Sequence, residues 1–437
     1  MARPRSRVLQ RHHSPGNVPA AGLTSSCCPL PNSHESGAVL NASESARPAP
    51  TATRDTHATR IAPGTTRHLA SLDILRACAA LMVFTYHCHT EFGLAVRTPY
   101  SPTIAQGHFG VHLFYALSGY LIYATLDRDW NTRSPTHSRR NWLWNFWTKR
   151  FFRIYPLYLA NIALVLALAP TIRDGLTTGN LLSHLFGLHS WFRAHHGAIN
   201  GVLWTLSIEI QFYALAPFFY LWARRVSDRT LIACTLTVWA ASYIAIRHVL
   251  IERFGFWTNL GAPDTWSYFI GLSQLPSALP LFVIGFLAYR RKSTAASYAT
   301  IIIAVAIFAA LPYAQRQVAR AQVDRVLLNY ATSLLAGCCF LPLLANASAM
   351  TVKDTFLTRF MWWISGISYS FYVWHMLVIH LVVQHASGQG LGFKVLVAFW
   401  LTAIFADFTR RFIERPGIDV GARLLGTRQP SVVSVAG

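Results

Sequence analysis

The feature that most constrains this sequence is a series of long apolar stretches that begins near residue 70. A helix needs about 20 mainly apolar residues to cross the hydrocarbon core of a bilayer. The stretches that meet this length are 70–89, 108–126, 152–170, 200–223, 229–247, 268–289, 297–313, 327–345, 361–384 and 392–413. The sequence therefore predicts an all-α membrane protein, a polytopic bundle of about ten transmembrane helices.

The composition favours a multi-pass membrane protein over a nucleic-acid-binding one. Only 13% of the residues are charged and 53% are hydrophobic, and the mean hydropathy is +0.33. Soluble domains carry about 25% charged residues. The formal net charge is +21, but the basic residues fall between the apolar stretches rather than along one stripe. We therefore expect membrane lipids among the partners and no nucleic acid.

Basic residues are concentrated in alternate connections between the apolar stretches. Besides the N-terminal tail, these are 127–153, 224–229, 290–292 and 410–415. Because positive residues favour the cytoplasm, we predict that the N- and C-termini are both cytoplasmic. The connection 314–327 holds three arginines and breaks this pattern. On the outer side, it would face an acidic glycan or headgroup.

Three regions are predicted along the chain. Residues 1–68, rich in Pro, Ser, Ala, Thr and Arg, are predicted to be a disordered basic tail. Residues 69–418 form the membrane domain, and 419–437 form a short cytoplasmic tail. The apolar run 181–192 is too short to span, so we expect it to be re-entrant or interfacial. The seven cysteines show neither metal-site nor disulfide spacing, so no metal is expected.

Ionisable residues inside membrane helices are costly and usually functional, and the first stretch carries several. Arg76 and His87 are eleven residues apart, which places them on nearly the same helix face and roughly 16 Å apart along the axis. Both can line one channel, Arg76 near the cytoplasm and His87 near the outside. Asp73 can pair with Arg76. The alternative is that Arg76 snorkels to one interface while His87 rests in the other.

The fourth stretch places Glu209 in the middle of an apolar span. A carboxylate at that depth is rarely a packing residue, so we predict a functional role for it. Neighbours in the same segment could satisfy its oxygens: Trp204, Thr205, Ser207, Gln211 and Tyr213.

Two further stretches combine small and polar residues. Ser368, Tyr372 and His375 share one face of the ninth predicted helix. They belong either to a site or to a polar seam between packed helices. Ser118 and Gly119 form a small pair in the second helix, where close helix packing is the favoured interpretation.

Two arginines stand at the predicted cytoplasmic start of the third span. Arg150 and Arg153 are three residues apart, on adjacent positions of one face, and paired guanidiniums suit phosphate groups. The alternative is an ordinary positive-inside anchor. The sequence holds neither a GxxxxGK[ST] loop nor a GxGxxG turn, so a soluble-type nucleotide site is not indicated.

Taken in order, these segments resemble the acyltransferase-3 family of integral-membrane O-acyltransferases. "LDILRACAALMVFTYH" resembles the family's "LDGLRAxAxLxVxxxH", and "GVHLFYALSGYLI" resembles "GVDLFFVLSGFLI". "KRFFRIYPLYL", "WTLSIEIQFY" and "ISYSFYVWH" resemble "RRFLRIYPLYW", "WSLSVEEQFY" and "ISYSLYLWH". "FIERP" is similar to the usual ending. The likeness runs from about residue 68 to residue 418, and the ordered set of motifs makes it specific.

Three positions depart from the family pattern. Ile74 replaces a common glycine, His112 replaces the acid of the second motif, and Ile210 replaces the second acid of the fourth. They argue against a carboxylate function at 112 or 210, whereas Glu209 is retained. The chain ends soon after the tenth predicted helix. We therefore expect the membrane domain itself, or a partner, to handle the acceptor.

The resemblance implies transfer of an acyl group, usually acetyl from acetyl-CoA, to a carbohydrate hydroxyl at the inner (cytoplasmic) membrane of a bacterium. Acyl-CoA would be a donor substrate, with no permanently bound cofactor and no metal. His87 would be the general base or a transient acyl carrier. Arg76 and Glu209 would be the other catalytic residues, and Glu209 would orient the imidazole or relay its proton.

The resemblance also implies where the donor binds. Arg150 and Arg153, with Tyr155 beside them, would hold the phosphates at the inner mouth. The pantetheine arm would then carry the thioester toward His87. The supporting residues are Asp73, Ser118, Ser207, Tyr372 and His375.

Two other functional classes stay open on the sequence alone. A transporter or flippase of a glycan or lipid-linked sugar would place broken helices around a midplane site. Candidate breaks are Pro156, Pro217, Pro276, Pro280 and Pro342. A catalytically inactive membrane scaffold would need neither Arg76 nor His87. The sequence determines neither the acceptor nor the oligomeric state.

Overall fold

The structure, a computed structural model, describes residues 63–93, 104–133, 138–258, 265–320, 325–386 and 388–426. Every regular element in these ranges is a helix. The α-helices are α1 (Pro63–Glu91), α2 (Phe109–Asn131), α3 (Arg139–Leu168), α4 (Pro170–Asp174), α5 (Thr178–Leu185), α6 (Trp204–Ala223), α7 (Asp228–Ile244), α8 (Thr265–Leu272), α9 (Leu275–Arg290), α10 (Tyr298–Arg320), α11 (Arg325–Asn346), α12 (Phe356–His385), α13 (Leu391–Thr409) and α14 (Arg415–Leu424). Two π-helical stretches, Ala245–Ile251 and Arg410–Glu414, continue α7 and α13.

Both predicted tails lie largely outside the described residues. Helix α1 begins at Pro63, inside the region assigned to the N-terminal tail, and α14 continues to Leu424, inside the region assigned to the C-terminal tail. The structure describes neither residues 1–62 nor residues 427–437.

Seven helices of the described chain are long and apolar enough to cross a membrane. They are α2, α3, α7 with its π-helical extension, α10, α11, α12, and α13 with its continuation into α14. The protein is therefore an all-helical membrane protein. The other three predicted spans are also mostly helical: one lies in α1, one in α6, and one is divided between α8 and α9. The total of ten crossings and the cytoplasmic termini remain predictions.

Helix α3 begins well before the span predicted at 152–170. It starts at Arg139, where the Ser138 hydroxyl caps it by accepting a hydrogen bond from the Asn141 N–H (3.2 Å). A helix of 30 residues is about 45 Å long and exceeds a hydrocarbon core of about 30 Å. Arg150 and Arg153 therefore lie inside the helix rather than at its start, and the predicted loop 127–153 is mostly helical.

The predicted span 268–289 is broken into α8 and α9. The buried Gln274 lies between them, and its side-chain amide donates to the carbonyls of Ser190 and Ile270 (2.7 Å each). Non-helical backbone at membrane depth is tolerated where protein covers it. Most of the connection predicted at 314–327 is helical in the described residues, because α10 extends to Arg320 and α11 begins at Arg325.

Helices α2 and α9 approach until their backbones touch. A Cβ on Gly119 would meet the carbonyl oxygen of Phe282 at 2.1 Å, and a Cβ on Gly285 would meet that of Ala116 at 2.0 Å. The predicted packing role of Gly119 is therefore confirmed. On the other side of the bundle, α1 packs along both α2 and α12.

Candidate functional site

One cavity collects side chains from all five segments that carry the motifs. Its volume is about 320 Å³, and α1, α2, α3, α6 and α12 form its walls. A cavity of this size lies at the lower end of the range for small-molecule sites. Its charged lining residues are Arg76, Arg150, Arg153 and Glu209. The apolar part of the wall includes Val111, Phe114, Leu121, Ile154 and Leu206.

Arg76 is fixed at the cavity by the ion pair that the sequence predicts. Its Nη1 lies 2.9 Å from Oδ1 of Asp73, one helical turn earlier. The hydroxyl of Ser365 on α12 donates to the same carboxylate oxygen (2.9 Å). Asp73 thus ties the guanidinium of Arg76 to the neighbouring helix.

Glu209 accepts two hydrogen bonds at one oxygen, Oε1. The donors are the hydroxyls of Ser118 (2.6 Å) and Tyr213. Of the predicted partners, Tyr213 bonds Glu209, whereas Thr205 bonds the Tyr372 hydroxyl at 2.7 Å. Ser118 lies in the segment where the sequence predicted close helix packing. Its hydrogen bond to Glu209 was not indicated by the sequence around it.

Ser207 points away from the cavity. Its hydroxyl donates to the carbonyl of Gly187 (2.6 Å) and lies 2.8 Å from the hydroxyl of Ser190, in the connection between α5 and α6. The Gln211 amide donates to the same Gly187 carbonyl (3.1 Å). These residues anchor that connection, and neither lines the cavity.

Arg150 presents a guanidinium with spare hydrogen-bonding capacity. Its carbon Cζ lies 5.5 Å from the ring centre of Tyr213 and 5.6 Å from that of Phe146. Its Nε is buried and has no hydrogen-bond partner among the described residues. Arg153 lines the same cavity. Tyr155, predicted beside them, instead stacks on Phe151 with ring centres 4.5 Å apart and is not a lining residue.

His87 does not line the cavity but reaches its wall through two residues of α12. The ring of His87 lies against that of His375, with centres 5.1 Å apart. The His375 ring contacts that of Tyr372 at 5.4 Å, and Tyr372 lines the cavity together with Ser368. The structure therefore places Arg76 in the cavity and His87 beside it.

The two departures from the motif acids are not lining residues either. The ring of His112 faces those of Phe109 (5.0 Å) and His108 (6.2 Å). Ile210 packs against Gly187, which adopts a positive φ of +64°. Neither position contributes to the cavity, where Glu209 is the carboxylate among the lining residues.

The cavity offers three guanidiniums and one carboxylate beside an apolar wall. Such a site suits an anionic ligand with an apolar arm, because forked guanidinium donors match phosphate oxygens. Within the described ranges, no group of three His, Cys, Asp or Glu side chains is placed to hold a metal ion.

Tyr369 is one of the polar lining residues that the sequence analysis did not single out. The Tyr369 hydroxyl donates to the carbonyl of Ile154 on α3 (2.7 Å), while Tyr369 itself borders the cavity. Its position directly after Ser368 on the polar stretch of α12 was the available signal.

Comparison with known proteins gives one family and several relatives. The profile of the family described as "Acyltransferase domain" matches residues 69–409. The chain is 26% identical to Acyltransferase MdmB of Streptomyces mycarofaciens, over 83% of this chain and 94% of that protein. No solved structure gives a significant match.

Two of the relatives are longer proteins. The Putative peptidoglycan O-acetyltransferase YrhL of Bacillus subtilis is 25% identical over 83% of this chain. O-acetyltransferase OatA of Staphylococcus aureus is 24% identical over 80% of it. In each case the match spans 57% of the relative.

Proposed function

Because the chain belongs to the acyltransferase-3 family and is a membrane O-acyltransferase, we propose that it moves an acetyl group from cytoplasmic acetyl-CoA to a hydroxyl of an envelope or exported carbohydrate. The carbohydrate acceptor is suggested by the relative named as a putative peptidoglycan O-acetyltransferase, of which the match spans 57%. The setting we propose is the inner membrane of a bacterium.

The observation that supports acyl-CoA as the donor is the gathering of Arg76, Arg150 and Arg153 in one cavity. Phosphate oxygens of CoA can bind the forked guanidinium donors. The pantetheine arm, which is uncharged, can follow the apolar wall toward the outer half of the bundle. Arg150 has the free donor that such a ligand requires.

In this proposal, His87 removes the proton from the acceptor hydroxyl. The hydroxyl oxygen attacks the thioester carbonyl carbon, the C–S bond breaks, and the proton passes from His87 to the departing sulfur of CoA. In the alternative order, a ring nitrogen of His87 first takes the acetyl group from CoA and then gives it to the hydroxyl oxygen. Both orders produce one ester and one CoA thiol.

For Glu209, the hydrogen bonds support a role on the donor side of the cavity as an alternative to the orienting or relaying role that the resemblance implies. Its hydrogen bonds go to Ser118 and Tyr213, next to the ring over which Arg150 lies. We propose that Glu209 offsets the positive charge of the arginines and, through Tyr213, keeps Arg150 positioned to bind the donor. Orientation of His87 then falls to another group.

The family assignment disfavours the transporter and scaffold alternatives. A relative named as an acyltransferase aligns over 94% of its own length, so the shared region is nearly that whole enzyme. A catalytically inactive scaffold has no need of three arginines at one cavity.

The test is transfer of labelled acetyl from acetyl-CoA to endogenous glycan in membranes. We expect the native chain to transfer label and His87→Ala to lose about 100-fold or more of the rate, the usual contribution of a general base. His385→Ala, at the exposed end of α12, is the control and should remain active. Unchanged transfer by His87→Ala would refute the role of His87. Absence of transfer by the native chain, with movement of a solute instead, would favour a transporter.

A further inference from the structure

Two histidine rings from neighbouring helices, His87 of α1 and His375 of α12, lie against each other. Their centres are 5.1 Å apart and their planes are tilted by 47°. His375 is only 1% exposed, whereas His87 is half-buried. Because α1 and α12 pack along each other, the contact between the rings is held by the bundle.

The backbone of α12 determines which nitrogen of His375 carries hydrogen. Its Nδ1 lies 2.6 Å from the carbonyl oxygen of Tyr372. A carbonyl oxygen only accepts, so Nδ1 must be the donor and Nε2 of the neutral ring must be an acceptor. This Nε2 is buried and has no hydrogen-bond partner among the described residues.

The ring of His87 is close enough to supply the missing donor. A hydrogen bond of about 2.9 Å between nitrogens of two imidazole rings places the ring centres about 5 Å apart. The observed separation is 5.1 Å, so the ring centres are already as close as such a hydrogen bond requires. A buried acceptor favours this arrangement because it is otherwise left without a hydrogen bond.

We propose that His375 is a positioning residue for His87. Its Nε2 accepts the hydrogen on one ring nitrogen of His87, and the other His87 nitrogen is thereby left unprotonated and directed toward the substrates. This inference rests on the proposed function, because it assigns a partner to the base or acyl carrier. His375 exchanges no atom in the reaction; the acceptor proton travels to His87 and then to the sulfur of CoA.

The same turn of α12 connects this pair to the cavity. Tyr372 holds His375 through its carbonyl oxygen, while its side chain lines the cavity. The Tyr372 hydroxyl is 2.7 Å from Oγ1 of Thr205 and donates to the carbonyl of Val202 (3.2 Å). Tyr372 therefore contacts both the cavity and the histidine pair. Misplacement of the base by about 1 Å can lower the rate about 100-fold.

The test compares two replacements of His375 in the full chain. In His375→Gln, the amide oxygen can take the place of Nε2 and accept the His87 hydrogen. In His375→Leu, the volume is retained but the acceptor is lost. We expect His375→Leu to lower kcat by about 100-fold with KM for acetyl-CoA nearly unchanged, and His375→Gln to keep kcat within about tenfold of the native value.

A histidine on the same helix provides the control. Nδ1 of His385 also lies 2.9 Å from a backbone carbonyl, that of Leu381. Unlike His375, His385 is at the exposed end of α12. His385→Leu should keep the native kcat. If His375→Leu does not reach the membrane, His375→Met replaces it in the comparison with His375→Gln.

The outcomes separate this inference from the proposed function. Equal kcat in the native chain and His375→Leu, or equal losses in His375→Gln and His375→Leu, would overturn the positioning role and indicate packing alone. If either result is found while His87→Ala is inactive in the acetyl-transfer assay, the proposed function stands and only the role of His375 fails. If the native chain itself does not use acetyl-CoA, the proposed function fails first.

Discussion

At the scale of single residues, the site depends on which polar atoms are satisfied and which are not. The carboxylate of Glu209 is engaged by the hydroxyls of Ser118 and Tyr213, and the carboxylate of Asp73 is engaged by Arg76 and Ser365. Arg150, in contrast, keeps a buried N–H without a partner among the described residues. Because a buried donor without a partner is costly, this atom marks the place where a ligand is expected.

A substitution of Arg150 tests that expectation. Arg150→Ala should raise KM for acetyl-CoA by about 10- to 100-fold, since hydrogen bonds to charged groups contribute about 1.5–3 kcal/mol. The value of kcat should change much less, because the lost contact is far from the transferred acetyl group. Steady-state kinetics in membranes would measure both constants. Arg173→Ala, at an exposed ion pair with Asp174, is the control, and equal KM values in both variants would exclude donor binding by Arg150.

At the scale of elements, α5 and the connection that joins it to α6 form a histidine-rich segment. The rings of His184 and His189 stack with centres 4.1 Å apart, and the ring of His196 stacks on Trp204 at 5.6 Å. All three histidines are fully buried. Burial lowers the pKa of His184 and of His196 to about 4 in each case. The predicted interfacial run 181–192 is thus partly a packed segment.

These histidines should make the segment sensitive to acid. The unfolded histidine has a pKa of about 6.5, so the unfolded segment binds more protons than the folded one between about pH 6.5 and 4. Stability is therefore complete above this window and falls as the pH decreases through it. The decrease is about 1.4 kcal/mol per histidine for each pH unit.

Hydrogen exchange of the amides in 178–203, corrected for the intrinsic effect of pH, would measure this loss. His196→Phe should reduce the pH dependence, because phenylalanine keeps the stacking on Trp204 and does not titrate. An identical pH dependence in the native chain and in His196→Phe would contradict the explanation.

At the scale of the whole molecule, the number of crossings decides the topology. Seven helices of the described chain meet the length and hydropathy needed to cross, and the sequence predicts about ten spans. The three predicted spans outside this set of seven, in α1, α6 and α9, are not at the periphery of the bundle. Helix α1 brings Arg76 and α6 brings Glu209 to the cavity, while α9 packs against α2 through two glycines. Whether these three helices also cross the membrane is the prediction to be tested.

Reporters at the chain termini distinguish the two counts. Ten crossings, an even number, place both termini on the same side, and the basic connections predict that side to be the cytoplasm. Seven crossings would place the termini on opposite sides. Reporters fused before Met1 and after Gly437 should both read cytoplasmic, and a reporter in 132–138 should agree with them. Opposite readings at the two termini would refute the ten-span topology.

Much of this architecture was predictable from the sequence because helices are local structures. A run of apolar residues indicates a span, and a spacing of three or four residues indicates a shared face. The ion pair of Asp73 with Arg76 and the common face of Ser368 and Tyr372 needed no more than that. The packing role of Gly119 followed from its size.

The boundaries and partners across helices were decided only by the tertiary structure. Helix α3 extends back to its cap at Ser138, because polar residues outside the bilayer core can continue a helix without being apolar. The bond of Ser118 to Glu209 and the contact of His87 with His375 join residues that are distant in sequence. Such contacts depend on how helices cross, which local periodicity does not encode. The sequence by itself determined the helices and the polar residues they carry; the packing determined that Arg76 lies in the cavity while His87 lies beside it, against His375.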